Sequence, residues 1–556
     1  MTNKHARRLT AMIHGKPIEN EYIRFDNLSA LVIDDISAMR HSVRSQLHAL
    51  GMNDVSIAGS AKEGLEHIEN RSFDLIMCDY NLNNSSTGQH FLEYLRNENI
   101  LSATSIFVML TAETEYSFVA NAVEYSPDDY ILKPCSETKL RSRLERLIDR
   151  RTYLMPMLEA IIAEQYDVAL EESNKLLEIA PNDRRKMDVL RRKSEVQLKL
   201  KDYMSALESF NQASEIRNDV PWIMMGQART HFALENFTLA AEIANELIKK
   251  NKSYVAAYEL LAKIRLEEGD DESAFDLLNR SSKILPSAMR FRSVSEAAFL
   301  LGKLDEAKSN AEAAIKLSSG SIVEKADDYL SLAQTQVDMG NHQVAIETLE
   351  KNARKHGDAG LFGVSKNAIL AQAYFDSGDI DKAKKLLEKS TSLLANRTDS
   401  AAMTTLGKAA LKTGNVVLGV KLLTKAVQSS GQNEKNIARH VKKTLLDTGH
   451  NDKIEDVIDG GKKRILILVE ECAKLMRTAH FVEANKKIKE ALEIHGENYE
   501  ALIAAAQLHL LWLKQEGINE EIVLRAKLYL STLDKLLPNN EKVMKFYRFF
   551  NEIMSN

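Results

Sequence analysis

One small residue, returning at nearly constant steps, constrains this chain more than any other feature. From about residue 153 onward it recurs at Ala169, Ala206, Ala240, Ala274, Ala307, Ala345, Ala383 and Gly419, with steps of 37, 34, 34, 33, 38, 38 and 36 residues. The same signature comes back around Ala484 and Ala526. Each copy reads as a helix, a turn with Gly or a small polar residue, and a second helix carrying the small residue with an apolar one four later. The fullest copy has Tyr258, Leu261-Ala262, Gly269, Ala274, Leu278 and Pro286, and Gly302, Gly340, Gly378 and Gly414 mark the same turn elsewhere. A period of this length predicts stacked helix pairs, none of which can bury its apolar face alone. The stretch Ser430–Ile465 fits the period worst and predicts a divergent pair or an interruption. Lys514–Glu521 reads as an inserted loop that lengthens the last unit.

The first quarter of the chain follows a different rhythm. Short apolar runs at Ala30–Asp35, Val55–Ala58, Phe73–Asp79, Ile106–Thr111 and Tyr130–Lys133 read as strands. They alternate with helical patterns at Ile36–Leu50, Ala61–Asn70, His90–Asn97, Tyr116–Tyr125 and Glu137–Arg151, which predicts a doubly wound parallel sheet. Asp34-Asp35, Asp79, Thr111 and Lys133 stand at or just past strand ends, the edge where open parallel sheets bind ligands. Three carboxylates, a hydroxyl and an ammonium suit a divalent cation, which takes oxygen ligands, and a phosphoryl group. An Asp-Asp after a strand also occurs as a simple helix cap, so the order of all four motifs carries the reading, not any one of them.

That order resembles the receiver domain of two-component response regulators, over residues 29–152. The resemblance implies a flavodoxin-like α/β fold and Mg²⁺ held by Asp34, Asp35, Asp79 and the backbone carbonyl of Asn81. It further implies that Asp79 accepts the phosphoryl group, with Lys133 and Thr111 meeting two of its oxygens, and that Thr111 and Tyr130 form the read-out pair. The implied donor is a sensor histidine kinase or a histidine phosphotransfer protein. The loop Asn81–Gly88 departs from the family pattern, with no proline at its fourth position and one extra residue before the glycine. That departure bears on the lifetime of the phosphoryl group.

The repeats resemble the tetratricopeptide repeat, about ten copies over residues 153–540, and imply an all-α superhelix whose first helices line a concave, protein- or peptide-binding groove. Aligning the copies on the small residue puts Arg229, Lys263, Glu296, Gln334, Gln372 and Lys408 in the groove-facing column. The neighbouring column, Phe232, Leu266, Phe299, Val337, Phe375 and Leu411, is apolar and reads as core between helices. Residues 1–28 form an extension, with a helical piece around Ala6–Ile13, and 541–556 a helical tail. Pro156 follows the fifth receiver helix closely with no Gly/Ser stretch, so the domains are expected to meet without a flexible linker.

Composition narrows the output. A net charge of −5, from 74 Lys+Arg against 79 Asp+Glu, gives no bulk signal for nucleic acid. No run approaches the roughly 18 apolar residues of a membrane span. Cys78, Cys135 and Cys472 stand singly, as in a reducing cytoplasm. No HExxH is present, and Gly460-Gly461-Lys462 lacks the spacing of a phosphate loop. The expectation is therefore a cytoplasmic regulator that is no enzyme beyond its own phosphotransfer and dephosphorylation, and that signals by protein binding. The alternatives are a phosphorelay intermediate or phosphate sink, and a constitutive scaffold with a vestigial receiver.

Overall fold

The computed structural model describes residues 24–82, 86–112, 127–356, 360–394, 397–430, 433–494, 496, 498–536 and 540–555. The helical piece at Ala6–Ile13 and the fourth receiver helix at Tyr116–Tyr125 lie outside the described residues. The chain divides into two compact units: Met1–Leu301 with Ser309–Lys325, and Gly302–Lys308 with Ala326–Asn556.

The first unit opens with β1 (Ser29–Ile33), α1 (Ser37–Ala49), β2 (Asp54–Ala58), α2 (Ala61–Asn70) and β3 (Leu75–Asp79). A small antiparallel pair, β4 (Asn81–Leu82) and β5 (Ser86–Thr87), precedes α3 (Gly88–Asn97), β6 (Ile106–Thr111) and β7 (Asp129–Leu132). The five long strands pair in parallel in the order β2-β1-β3-β6-β7. Chain direction across the sheet reverses between β1 and β3, the switch point at which doubly wound sheets open a ligand crevice. Alternation along the strands explains the layers. Ala30 and Val32 face Leu47, Leu140 and Leu144 on one side of the sheet. Leu31 and Ile33 face Phe91, Leu92 and Phe107 on the other.

No flexible linker separates the receiver from the repeats, and the helix read as ending at Arg151 runs further. A single helix, α4 (Glu137–Ile162), runs through the junction with Pro156 in its interior. The proline removes one backbone hydrogen bond; Tyr153, Leu154, Met157 and Leu158 are buried around it and hold the helix through the gap. Arg151 adds a tie, pairing at 2.8 Å with Asp74 at the foot of β3.

The rest of this unit is helix pairs: α5 (Tyr166–Glu178), α6 (Asp183–Lys199) with α7 (Tyr203–Ile216), α8 (Pro221–Ala233) with α9 (Phe237–Lys250), α10 (Val255–Glu268) with α11 (Asp271–Ile284), and α12 (Ala288–Leu300). Helix α13 (Leu304–Ser318) follows. In the second unit the pairing continues through α14 (Ala326–Asp338), α15 (His342–His356), α16 (Gly360–Asp376), α17 (Ile380–Leu394), α18 (Ser400–Lys412) and α19 (Val416–Gln428). The recurring small residues are all fully buried except Gly419, which is buried within α19. There a Cβ would sit 2.6 Å from the Leu411 side chain, so the small position exists because the first helix of the pair lies against it. Ser430–Ile465 is irregular as expected: α20 (Glu434–Asp447) is followed by a 3-10 turn and only a five-residue α21 (Ile454–Ile458). At Lys514–Glu521 no inserted loop is found. The added residues extend α24 (Tyr499–Glu516), whose apolar face through Leu508, Leu510 and Leu513 is buried, and three residues suffice to turn into α25 (Glu520–Leu536). Between these elements lie α22 (Gly460–Arg477) and α23 (Phe481–Ile494), and α26 (Glu541–Ser555) closes the unit with Val543 and Phe550 in its core.

Five residues before each small residue from Ala169 to Ala484, the turn is left-handed. Glycine takes it at Gly269 (φ +80°), but Glu164, Lys201, Glu235 and Ala479 take it at φ between 56° and 60°. A side chain there costs about 1–2 kcal/mol in steric strain. Each of Glu164→Gly, Lys201→Gly and Glu235→Gly should therefore stabilise the protein, by roughly 0.5–1 kcal/mol after the added freedom of the unfolded glycine. Differential scanning calorimetry of the single and triple variants checks this; an unchanged or lower midpoint in the triple variant contradicts it.

Candidate functional site

Three strand ends meet at the switch point. β1 delivers Asp34 and Asp35, β3 ends on Asp79, and the turn after β7 carries Lys133. The Lys133 ammonium bridges two of the carboxylates, at 2.6 Å from Asp34 Oδ2 and 2.8 Å from Asp79 Oδ1. Its own backbone N–H donates to the Thr111 carbonyl at 2.7 Å, which fixes the turn to the end of β6. Carboxylate oxygens of Asp34, Asp35 and Asp79 all lie within 4.8 Å of one another. Asp34 is fully buried and Asp79 nearly so.

Local bonds aim these groups. Asp34 Oδ1 accepts from the Ile36 N–H at 2.9 Å, leaving Oδ2 to Lys133. Arg40 Nη1 donates to the carbonyls of Asp34 and Asp35 at 2.6 and 3.0 Å and holds the strand-to-helix turn from behind. Burial pushes the Asp79 carboxyl above its usual range, with Lys133 pulling in the opposite direction. Burial opposes the charge on Lys133, but its bonds to Asp34 and Asp79 hold its pKa above the ordinary value. Burial also pushes the Cys78 thiol well up, so it stays protonated beside Asp79, as a packing residue.

Three carboxylates face one ammonium, so the cluster carries an excess of negative charge in a partly dry pocket. A divalent cation with oxygen ligands removes that excess, and the donor set fits Mg²⁺. Asn81 stands two residues past Asp79, in β4, with an exposed side chain. Thr111 is buried at the end of β6, and Tyr130 packs inward, against the cluster that includes Phe91, Phe107 and Met109.

The expected groove column divides. In the first unit Arg229 and Lys263 line a cavity of about 630 Å³ whose other wall is α3 of the receiver. Glu296 is exposed on α12. In the second unit Gln334 and Gln372 exchange hydrogen bonds at 3.1 Å. Lys408 pairs with Asp338 at 2.6 Å and Asp447 at 3.4 Å. Gln372 and Lys408 are buried, at 0 and 4% exposure, so these two do not present themselves to a partner as expected. Of the apolar column, Val337 and Leu411 are core, as read.

Two residues that matter here were missed in the sequence. Gly88 N–H donates to the Tyr80 carbonyl at 2.7 Å, and a Cβ at Gly88 would stand 2.2 Å from the Asp79 carbonyl oxygen. The first residue of α3 is thus pressed against the peptide of Asp79; the loop glycine in the motif was the available signal. Arg290 meets Glu93 of the receiver, and no local pattern marks that pair. Gly88→Ala must displace the Asp79 peptide. It should cost roughly 1–3 kcal/mol of stability by overpacking and weaken Mg²⁺ binding several-fold in isothermal titration calorimetry. Unchanged Mg²⁺ affinity would show that the acidic cluster does not depend on this contact.

Comparison with known proteins agrees with this geometry. The family described as response regulator receiver domain matches residues 30–145, and tetratricopeptide repeat families match 225–288 and 367–394. The chemotaxis protein CheY-3 of Vibrio cholerae is 28% identical over 130 residues, 23% of this chain and 98% of that protein. Among solved structures, the C-terminal part of a TPR repeat-containing protein from Cytophaga hutchinsonii is 16% identical, covering 45% of this chain and 98% of its own, with a TM-score of 0.33. YrrB, described as a TPR protein with an unusual peptide-binding site, is 12% identical over 34% of this chain and 95% of its own, with a TM-score of 0.30. Residues 30–145 are a response regulator receiver domain, and the chain behind it carries tetratricopeptide repeats.

Proposed function

We propose that this protein is a two-component response regulator that accepts a phosphoryl group on Asp79 and signals by protein binding through its repeats. The observation that carries the reading is the Lys133 bridge to Asp34 and Asp79 beside Asp35. An Asp79 carboxylate oxygen attacks phosphorus of a phosphohistidine on a sensor kinase or histidine phosphotransfer protein. The P–N bond breaks, the imidazole leaves with the electron pair and takes up a proton, and an acyl phosphate remains on Asp79. Asp34, Asp35 and Asp79 would hold Mg²⁺, which would supply charge neutralisation for the transferring oxygens. Lys133 exchanges one anionic partner for a phosphoryl oxygen, and the Thr111 hydroxyl donates to another. The new charge and acceptor oxygens then draw on Thr111 and Tyr130.

No reaction beyond this phosphotransfer and its hydrolysis is proposed. Among the described residues no helix is long and apolar enough to cross a membrane. Single cysteines, two of them buried, support work in a reducing cytoplasm. Two expectations follow for the purified chain. With a small acyl-phosphate donor and Mg²⁺, the wild type should incorporate acid-labile phosphate and Asp79→Asn should lose it by at least 100-fold; incorporation surviving the change moves the acceptor elsewhere. Lys133→Ala leaves Asp34 and Asp79 without their shared countercharge. It should still be labelled to some extent but at least tenfold more slowly, measured in the same assay.

A further inference from the structure

Helix α3 has two faces with different tasks. Phe91, Leu92 and Leu95 are fully buried against the sheet. His90, Glu93 and Asn97 form the other stripe at helical spacing, and that stripe rests on the repeats. His90 Nε2 lies 3.1 Å from the Pro286 carbonyl oxygen, and Asn97 Nδ2 3.9 Å from Met289 Sδ. Glu93 Oε2 lies 3.7 Å from Arg290 Nη1, with both side chains over nine-tenths buried. Ile322, in the segment after α13, packs with Tyr94 against the same core cluster as Phe91.

Charge across the cavity is complementary. Its repeat wall carries five basic side chains, Arg229, Lys263, Arg290, Arg292 and Lys325, against the carboxylates of Glu259 and Glu324. On the receiver side Glu93 and Glu98 line it with His90, Tyr94 and Asn97, and none of these five is a lysine or arginine; burial holds the His90 imidazole below its ordinary pKa. The seat is also built to be vacated. Arg290 Nε already donates to Glu259, on its own side, at 2.8 Å. Withdrawing Glu93 therefore orphans no buried cation, the usual large cost of breaking a buried pair.

The N-terminal end of α3 is pressed on Asp79, through the Gly88 contacts with Tyr80 and Asp79, and Tyr130 packs on the cluster that holds its buried face. A rearrangement at Asp79 or Tyr130 has to be accommodated by this helix.

We infer that the concave wall of α8, α10 and α12 is a recognition surface for an acidic amphipathic helix, and that α3 occupies it as a built-in ligand until Asp79 is phosphorylated. The partner presents a carboxylate to Arg290 from a stripe like that of His90, Glu93 and Asn97. The surface stands on the contacts above; its phosphate control rests on the function proposed for Asp79.

The test uses the full chain and a fluorescein-labelled peptide spanning residues 86–101, read by fluorescence anisotropy. Wild type should bind the peptide weakly. Glu93→Lys, which places two cations together, should release α3 and tighten binding at least tenfold, and the milder Glu93→Gln should shift it the same way. Phosphate incorporation at Asp79 in both variants reports that the receiver is folded. Addition of the acyl-phosphate donor with Mg²⁺ to wild type should tighten binding similarly, with no effect in Asp79→Asn. If a labelled-competent Glu93 variant binds no more tightly than wild type, the recognition surface is wrong. If the Glu93 variants open the surface and wild type takes up phosphate without opening, the phosphate control is wrong while the surface stands. If no phosphate is incorporated by wild type at all, the failure lies with the acceptor reading instead.

Discussion

The bridge that Lys133 makes between Asp34 and Asp79 is the interaction on which the receiver's chemistry depends. It joins the turn after an edge strand to the ends of two central strands, at the one place where the sheet's winding reverses. Carboxylates buried beside each other repel and would rather be protonated. A single ammonium offsets only part of that repulsion, and the oxygen donor set that remains fits a divalent cation. Neighbouring bonds fix the groups around the bridge: Arg40 clamps the turn carrying Asp34 and Asp35, and Gly88 lets a helix start against the peptide of Asp79.

Much of this is legible in the sequence because it is local. Strand alternation and the residues that end each strand are encoded within a few positions, so β6 begins and ends where the apolar run does. The repeats are legible for the same reason. The small residue and the left-handed turn five positions earlier recur with the period, even where glutamate or lysine has to adopt the turn conformation. The helix read as ending at Arg151 continues past Pro156 because packing of Tyr153, Leu154 and Met157 on the first repeat holds it together.

What the sequence does not show is which of its repeated positions are spent internally. Arg229, Lys263, Gln372 and Lys408 occupy one alignment column and are chemically alike in being polar or basic. Lys408 is closed off because Asp338 and Asp447, from two other helices, converge on it. Gln372 is closed off by Gln334, 38 positions away. Column position predicts direction; only the tertiary neighbours decide between a satisfied ladder and an open wall.

The same distinction sets how each place can be used. A buried lysine matched by two carboxylates from its own scaffold stiffens that scaffold, since taking either partner away strands a charge. Arg290 differs in the order of its bonds. Its shorter contact is to Glu259, within the repeats, and its longer one to Glu93, across the interface. The guanidinium is therefore satisfied before the receiver docks and remains so after it leaves. An anionic helix arriving from outside meets the Arg290 that Glu93 now meets, at no added desolvation cost for the arginine's inner bond. On the function proposed for Asp79, exchange of one carboxylate for another at nearly equal electrostatic cost is what lets phosphorylation, which supplies only a few kcal/mol of bias, decide the occupancy of such a surface.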